Sequence, residues 1–143
     1  MKIFQKEFQL KSRGKGFHLI TNEVINNLPE LKEINTGILN LLIQHTSASL
    51  TLNENTDPYV RTDMESYFNK NVKENEPYFI HTAEGPDDMP AHIKTTMIGA
   101  NLSIPITNGR LNLGTWQGIY LCEHRKHAPG RDIVVTLTGE LKS

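Results

Sequence analysis

Gly37-Ile38-Leu39-Asn40-Leu41-Leu42-Ile43-Gln44, then His45-Thr46-Ser47-Ala48, then Ser49-Leu50-Thr51-Leu52-Asn53 is the stretch that decides the fold. Its first run is short and mostly aliphatic, which suits a buried strand better than a helix. Ser49 to Asn53 alternates polar and apolar residues, the period of a second strand. The segment between the two runs is long enough only for a tight corner, and it carries a histidine and two hydroxyls.

Upstream, residues 2–11 place Ile3, Phe8 and Leu10 among charged neighbours and read as a half-buried strand whose register slips once, at a bulge. Ser12 to Gly16 is a turn and Phe17-His18-Leu19-Ile20 a short strand. Thr21 is expected to cap a helix that stops near Pro29. Downstream, Asp57-Pro58 pairs an N-cap with a proline at the first helical position, and Val60, Met64, Tyr67 and Phe68 share a face of the helix that follows.

Residues 74–90, rich in Glu, Asn, Asp, Gly and Pro, read as a long loop, and loops of that length in a compact domain are usually functional or disordered. Pro90 is expected to open a helix running to about Gly99, with Ile93, Met97 and Ile98 inward. A strand from Asn101 to Ile106 leads to the hairpin dipeptide Asn108-Gly109. The return strand carries Leu111 and Leu113, breaks at Gly114 and resumes at Ile119 to Cys122, and a last strand spans Asp132 to Gly139. The expectation is one α+β domain over residues 1–143, with a largely antiparallel sheet and about three helices.

Composition narrows the function classes. With 37% hydrophobic residues, 143 residues supply one core. A formal charge of −1 gives no global field for nucleic acid or an anionic membrane, so any anionic ligand must be held locally. The polar and apolar alternation at the N-terminus is unlike a secretory signal, and no apolar run reaches membrane-spanning length. Cys122 is the only cysteine; an internal disulfide is excluded and the cytoplasm is the expected setting.

His45, His81 and His92 each fall at an element end or in a polar loop, and together they are a candidate three-histidine site for a transition metal such as Zn²⁺. Their spacing matches no zinc-ribbon, zincin or EF-hand pattern, and each is also readable as a solvated histidine. Around Ser47 the residues of a nucleophile elbow are missing, so its hydroxyl reads as a phosphate donor or as ordinary turn chemistry. Glu54 follows a strand among amides and suits Mg²⁺ ligation or hydrogen bonding to a heterocycle. Asp87, Asp88, His92 and Lys94 crowd one helix start, an acidic arrangement that a bridging cation would reconcile; the plain alternative is helix capping by Asp88. Trp116, between Gly114 and Gly118, reads as an aromatic platform or an oligomer contact. Arg125, in the charged run Glu123 to His127, can grip phosphate, and Cys122 beside it reads as a buried, inert thiol.

Taken together, His45-Thr46-Ser47-Ala48-Ser49-Leu50-Thr51-Leu52-Asn53-Glu54-Asn55, Asp87-Asp88-Met89-Pro90-Ala91-His92-Ile93-Lys94, Gly114-Thr115-Trp116-Gln117-Gly118 and Glu123-His124-Arg125 resemble the YjbQ family, in the same order and over essentially the whole chain. The resemblance implies a homotrimer with a polar pocket near the subunit interface, formed by His45, Ser47, Glu54, His81, Asp88, His92, Trp116, Gln117 and Glu123. It also implies a proposed secondary thiamine-phosphate synthase activity, joining a hydroxymethylpyrimidine pyrophosphate to a thiazole phosphate.

In that chemistry Trp116 would stack on the pyrimidine and Glu54 or Glu123 would bond its amino group, while Lys94 or Arg125 with Mg²⁺ received pyrophosphate. No organic cofactor is needed. The motifs hold more acids and histidines than bases, which keeps a second class in view: a metal-binding protein or metal-dependent hydrolase using His45, His81 and His92.

Overall fold

The run that begins at Gly37 lies inside a ten-residue strand, and the alternating run after it forms the next strand, yet the two do not make a hairpin. A computed structural model describes all 143 residues. In chain order it holds β1 (Lys2–Leu10), β2 (Gly16–Leu19), α1 (Thr21–Asn26), a 3₁₀ turn (Pro29–Glu33), β3 (Ile34–Ile43), β4 (Ala48–Glu54), α2 (Pro58–Asn71), α3 (Asp88–Ile98), β5 (Asn101–Thr107), β6 (Arg110–Leu111), β7 (Gln117–Glu123) and β8 (Arg131–Leu141). Strands β1-β8-β3-β5-β6 form one sheet and β2-β7-β4 another, all antiparallel. The His45 corner therefore carries the chain from one sheet to the other. The fold is α+β, as its residues indicate.

The two sheets face each other across the main core. Leu39, Leu41 and Ile43 of β3, Ile133, Val135 and Leu137 of β8, and Ile104 and Ile106 of β5 meet Leu50 of β4 and Ile119 and Leu121 of β7. β7 is the middle strand of the smaller sheet and is buried from Gly118 to Glu123, which explains its unbroken apolar run. Its other face puts Tyr120 and Cys122 against Phe17 and Phe68 of α2, while α2 and α3 cover that side of the sheet. On the large sheet the outward-facing Ile3, Ile38 and Leu42 are exposed.

Several local expectations are corrected. β1 pairs with β8 in unbroken register from Lys2 to Leu10; the irregularity lies between Ile34 and Thr36, on the other side of β8. There Gly37 and Gly139 oppose each other, and a Cβ on Gly37 would sit 2.2 Å from the Thr138 carbonyl oxygen. Thr21 does not cap α1; its hydroxyl accepts from the Ile119 amide at 2.9 Å and ties the helix start to β7. α3 begins at Asp88, ahead of Pro90, and its buried face carries Pro90, Ala91 and Lys94, whereas Met97 is exposed. Tyr67 is likewise exposed on α2.

Other expectations hold. Asp57 accepts from the Tyr59 amide at 2.9 Å as the N-cap of α2, with Pro58 in its first turn. Asn108 and Gly109 adopt φ of 52° and 77°, the positive angles a two-residue β5–β6 hairpin requires. No helix is long and apolar enough to cross a membrane.

Candidate functional site

Antiparallel pairing brings the chain ends of four strands to one edge of the molecule. Ala48 pairs with Glu123 and Ile43 with Ile133, so the end of β3, the start of β4, the end of β7 and the start of β8 converge. The start of α3 docks on the same edge, because His92 Nδ1 lies 2.7 Å from the Thr46 carbonyl oxygen.

A carbonyl oxygen only accepts, so Nδ1 carries the hydrogen. The opposite nitrogen, Nε2, lies 3.0 Å from Asp88 Oδ2, one helical turn back, and that carboxylate oxygen also lies 2.7 Å from His81 Nε2. Two acceptors cannot face each other without a cation between them. Either a proton sits on His92 Nε2 or a metal ion takes its lone pair. The three ligand atoms of His81, Asp88 and His92 all lie within 4.8 Å of one another. A histidine whose far nitrogen donates to a backbone carbonyl is oriented as metal-ligating histidines usually are.

Asp88 is buried and is not a helix cap. Burial by itself raises its pKa; the His81 hydrogen bond, the neighbouring His92 charge and Arg125 outweigh that and hold the carboxyl below the usual range. The long loop before α3 is thus ordered by the acids at its end. Arg125 donates through Nη1 to Asp88, through Nε to Asp87 at 3.1 Å and through Nη2 to the Glu84 carbonyl at 2.9 Å.

These bonds occupy the groups that Arg125 would use to grip phosphate. Glu123, expected in the pocket, is 1% exposed and paired with Arg131, which donates to Oε1 at 2.7 Å and also reaches the Ser47 carbonyl. Ser49 and His124, neither singled out from the sequence, form a buried pair with Oγ 2.7 Å from Nε2. Burial, then the charges of Lys94, Lys15 and Arg131, push the His124 pKa down to about 3, so this ring is neutral. Burial likewise pushes the Cys122 thiol up to about 12, leaving it inert.

The three-histidine set is not assembled within the chain. His45 Nε2 accepts from the Asp132 amide at 2.8 Å, which commits its lone pair to the β3–β8 edge, and Asp88 completes the cluster instead. Spacing on the helix carried the signal: Asp88 and His92 are four residues apart and share one face.

Glu54, Trp116 and Gln117 belong to a different place. Glu54 pairs with Gln117 at the far end of β4, six residues and roughly 20 Å from the Ala48–Glu123 pair at strand rise. There Glu54 accepts from the Thr56 and Asp57 amides, and Asn55 Nδ2 donates to the Thr115 and Gln117 carbonyls. Gln117 Oε1 accepts from the Gly114 amide, and Trp116 stands 64% exposed above this turn. The single pocket expected from the sequence is therefore two regions within one chain.

A family model described as UPF0047 protein YjbQ-like matches residues 6–140. The chain is 53% identical over 137 residues to the UPF0047 protein YjbQ of Escherichia coli O157:H7, covering 96% of this chain and 99% of that one. It is 42% identical over 119 residues to the UPF0047 protein YugU of Bacillus subtilis, covering 82% and 87% of the two chains. A Clostridium acetobutylicum structure, described as a conserved protein of the yjbq/upf0047 family, superposes with a TM-score of 0.81 at 34% identity, over 93% of this chain and 99% of that one. The motifs of the four converging strand ends and the match along nearly the whole length agree: the chain belongs to the YjbQ (UPF0047) family.

Proposed function

We propose that the protein is a metal-dependent enzyme acting on a small phosphorylated substrate, hydrolysis being its reaction class, with the metal held by His81, Asp88 and His92. The observation that carries this reading is His92: its Nδ1 hydrogen is committed to the Thr46 carbonyl while Nε2 and the Asp88 carboxylate converge as acceptors. Two imidazoles and one carboxylate suit a transition ion such as Zn²⁺ better than Mg²⁺, which prefers oxygen ligands. With three protein ligands, a metal bound by His81, Asp88 and His92 would keep a position for substrate or water and would supply Lewis-acid polarisation of a phosphoryl oxygen. The chain's own part is to fix the ligands: Thr46 orients His92, and Arg125 holds Asp88.

The test is turnover of phosphate esters by the full chain. Activity abolished by a chelator, restored by a transition ion and lowered at least about a hundredfold in Asp88→Asn supports the reading. Chelator-insensitive turnover, or none on any ester with metal supplied, counts against it.

The thiamine-phosphate synthase activity that the resemblance implies is the second reading, favoured by one observation: Trp116 presents a free ring face for a planar heterocycle. It requires Trp116 of one protomer to face the His81–Asp88–His92 edge of another, and assembly as a homotrimer in the cytoplasm belongs to this reading. The exposed Ile3, Ile38 and Leu42 offer apolar surface for such an assembly. Sedimentation gives the assembly, and complementation of a thiamine-requiring strain gives the activity. Mixed trimers of Trp116→Ala and Asp88→Ala chains should regain the growth that each variant alone has lost; failure of the wild type to complement would overturn it.

A further inference from the structure

A cavity of about 360 Å³ opens between α2 and α3, walled by Lys15, Lys73, Lys94 and Lys126 together with Asp87 and Glu74. It lies across α3 from the His81–Asp88–His92 group. Asp88 and His92 are one turn apart on one face of the helix, whereas Pro90 and Lys94, one turn apart on another, line the cavity.

The charges in its wall do not cancel. Lys15 is paired with Glu65 and bonded to Asn69 Oδ1, Lys126 is paired with Glu74 at 3.3 Å, and Asp87 is taken by Arg125. Lys94 is different. It is only 3% exposed, has no carboxylate within 4.0 Å and donates no hydrogen bond. Lys73, at the mouth, is exposed and also lacks an acidic partner. A buried ammonium with no carboxylate in contact is costly; here the Lys15 ammonium is a near neighbour, while Glu65 and Glu74, paired with Lys15 and Lys126, act on Lys94 only from beyond contact distance.

Folded chains do not usually retain such a group, since a methionine of similar length would pack there at no electrostatic cost. A ligand that supplies the missing negative charge removes the difficulty. We propose that this cavity is a binding site for a phosphate-type dianion carried by a small molecule, with Lys94 as its central donor and Lys15, Lys73 and Lys126 around it. Two unpaired lysines match a dianion in charge, and the volume exceeds the need of a bare phosphate, leaving room for the group that bears it. The site uses none of the residues proposed to hold metal, so it stands or falls separately from that reading.

The experiment is titration of the full chain with inorganic phosphate, with glycerol phosphate and with pyrophosphate, by calorimetry, with and without a chelator. Saturable binding of at least one of these dianionic probes, unchanged by the chelator, is expected. Tighter binding of glycerol phosphate than of inorganic phosphate assigns the site to a phosphorylated metabolite; the reverse order assigns it to the free ion. Lys94→Met should weaken binding roughly thirtyfold or more while leaving the fold intact or more resistant to heat, because it removes a buried, uncompensated charge. Lys73→Met, at an exposed position that cannot endanger folding, should weaken it about threefold. No binding by any of the three probes to the wild type, or binding unchanged in both variants, overturns the proposal.

Discussion

The two ends of the β4–β7 ladder are built from the same pair of strands and reach opposite chemical states. At the Ala48–Glu123 end, charges are buried and mostly paired, Glu123 with Arg131 and Asp87 and Asp88 with Arg125, and the neutral Ser49 and His124 are bonded to each other. At the Glu54–Gln117 end the bonds are neutral on at least one side, some local and some from Asn55 across to the Thr115–Gln117 segment, and they shape a turn that lifts an exposed tryptophan. Unspent capacity therefore differs in kind. The first end has it at His81, Asp88 and His92, where acceptors converge, and at the unpaired Lys94 across α3; the second has it in an aromatic face. Residue types that look functional in a sequence can be fully occupied by one another once folded, as Glu123 and Arg125 are.

The largest effect on stability is expected at the paired end. Arg131→Ala leaves Glu123 buried without its partner and should cost about 3–5 kcal/mol in chemical denaturation. A loss below about 1 kcal/mol would mean that Glu123 is solvated or paired elsewhere, and would reopen its candidacy for the pocket.

Acid sharpens the same contrast. His124 takes up a proton at pH 6.5 in the unfolded chain but resists it until about pH 3 when folded, so stability present above pH 6.5 is lost as pH falls through that window. One such group contributes at most about 1.4 kcal/mol per pH unit. Denaturation midpoints measured across this range should fall less steeply in His124→Gln than in wild type, and parallel slopes would show that the ring is not held neutral.

Between the two ends, Tyr120 links the strand core to the Glu54 turn through a hydroxyl bond to the Glu54 carbonyl. Tyr120→Phe should cost about 1 kcal/mol by thermal or chemical melting. Trp116→Ala should be the mildest change, within about 0.5 kcal/mol, because the ring covers little of the chain. A clear destabilisation of the purified protein by Trp116→Ala would instead indicate that the ring is packed in an assembly.

Much of the fold was legible because its signals are local. The Leu39 to Ile43 run, the Ser49 to Asn53 alternation, the Asp57-Pro58 cap and the Asn108-Gly109 turn each act within a few residues, and each appears where its pattern lies. Patterns dependent on distant partners were not legible. The Thr21 hydroxyl reads as a cap until Ile119, 98 residues away, claims it. Lys94 reads as a pyrophosphate-binding group at the start of a helix, but nothing local tells that it would be buried, in the wall of a cavity shared with the end of α2.

The candidate site followed the same division. Asp88 and His92 were visible as one helical turn, and His81 came to them through the loop that Arg125 orders. His45 resembled a third ligand until the Asp132 amide took its nitrogen. Trp116 and Glu54 shared a motif set with the histidines but sit at the other end of a seven-residue strand, a separation that no spacing in the sequence reveals.

Metal content decides the central point most directly. Elemental analysis of the full chain, purified without chelating resin, should give about one transition-metal ion per chain. The metal should be lost in Asp88→Ala and in His92→Ala and retained in His45→Ala. Protein that holds no metal after incubation with Zn²⁺, or that keeps it in Asp88→Ala while losing it in His45→Ala, would contradict the His81–Asp88–His92 centre.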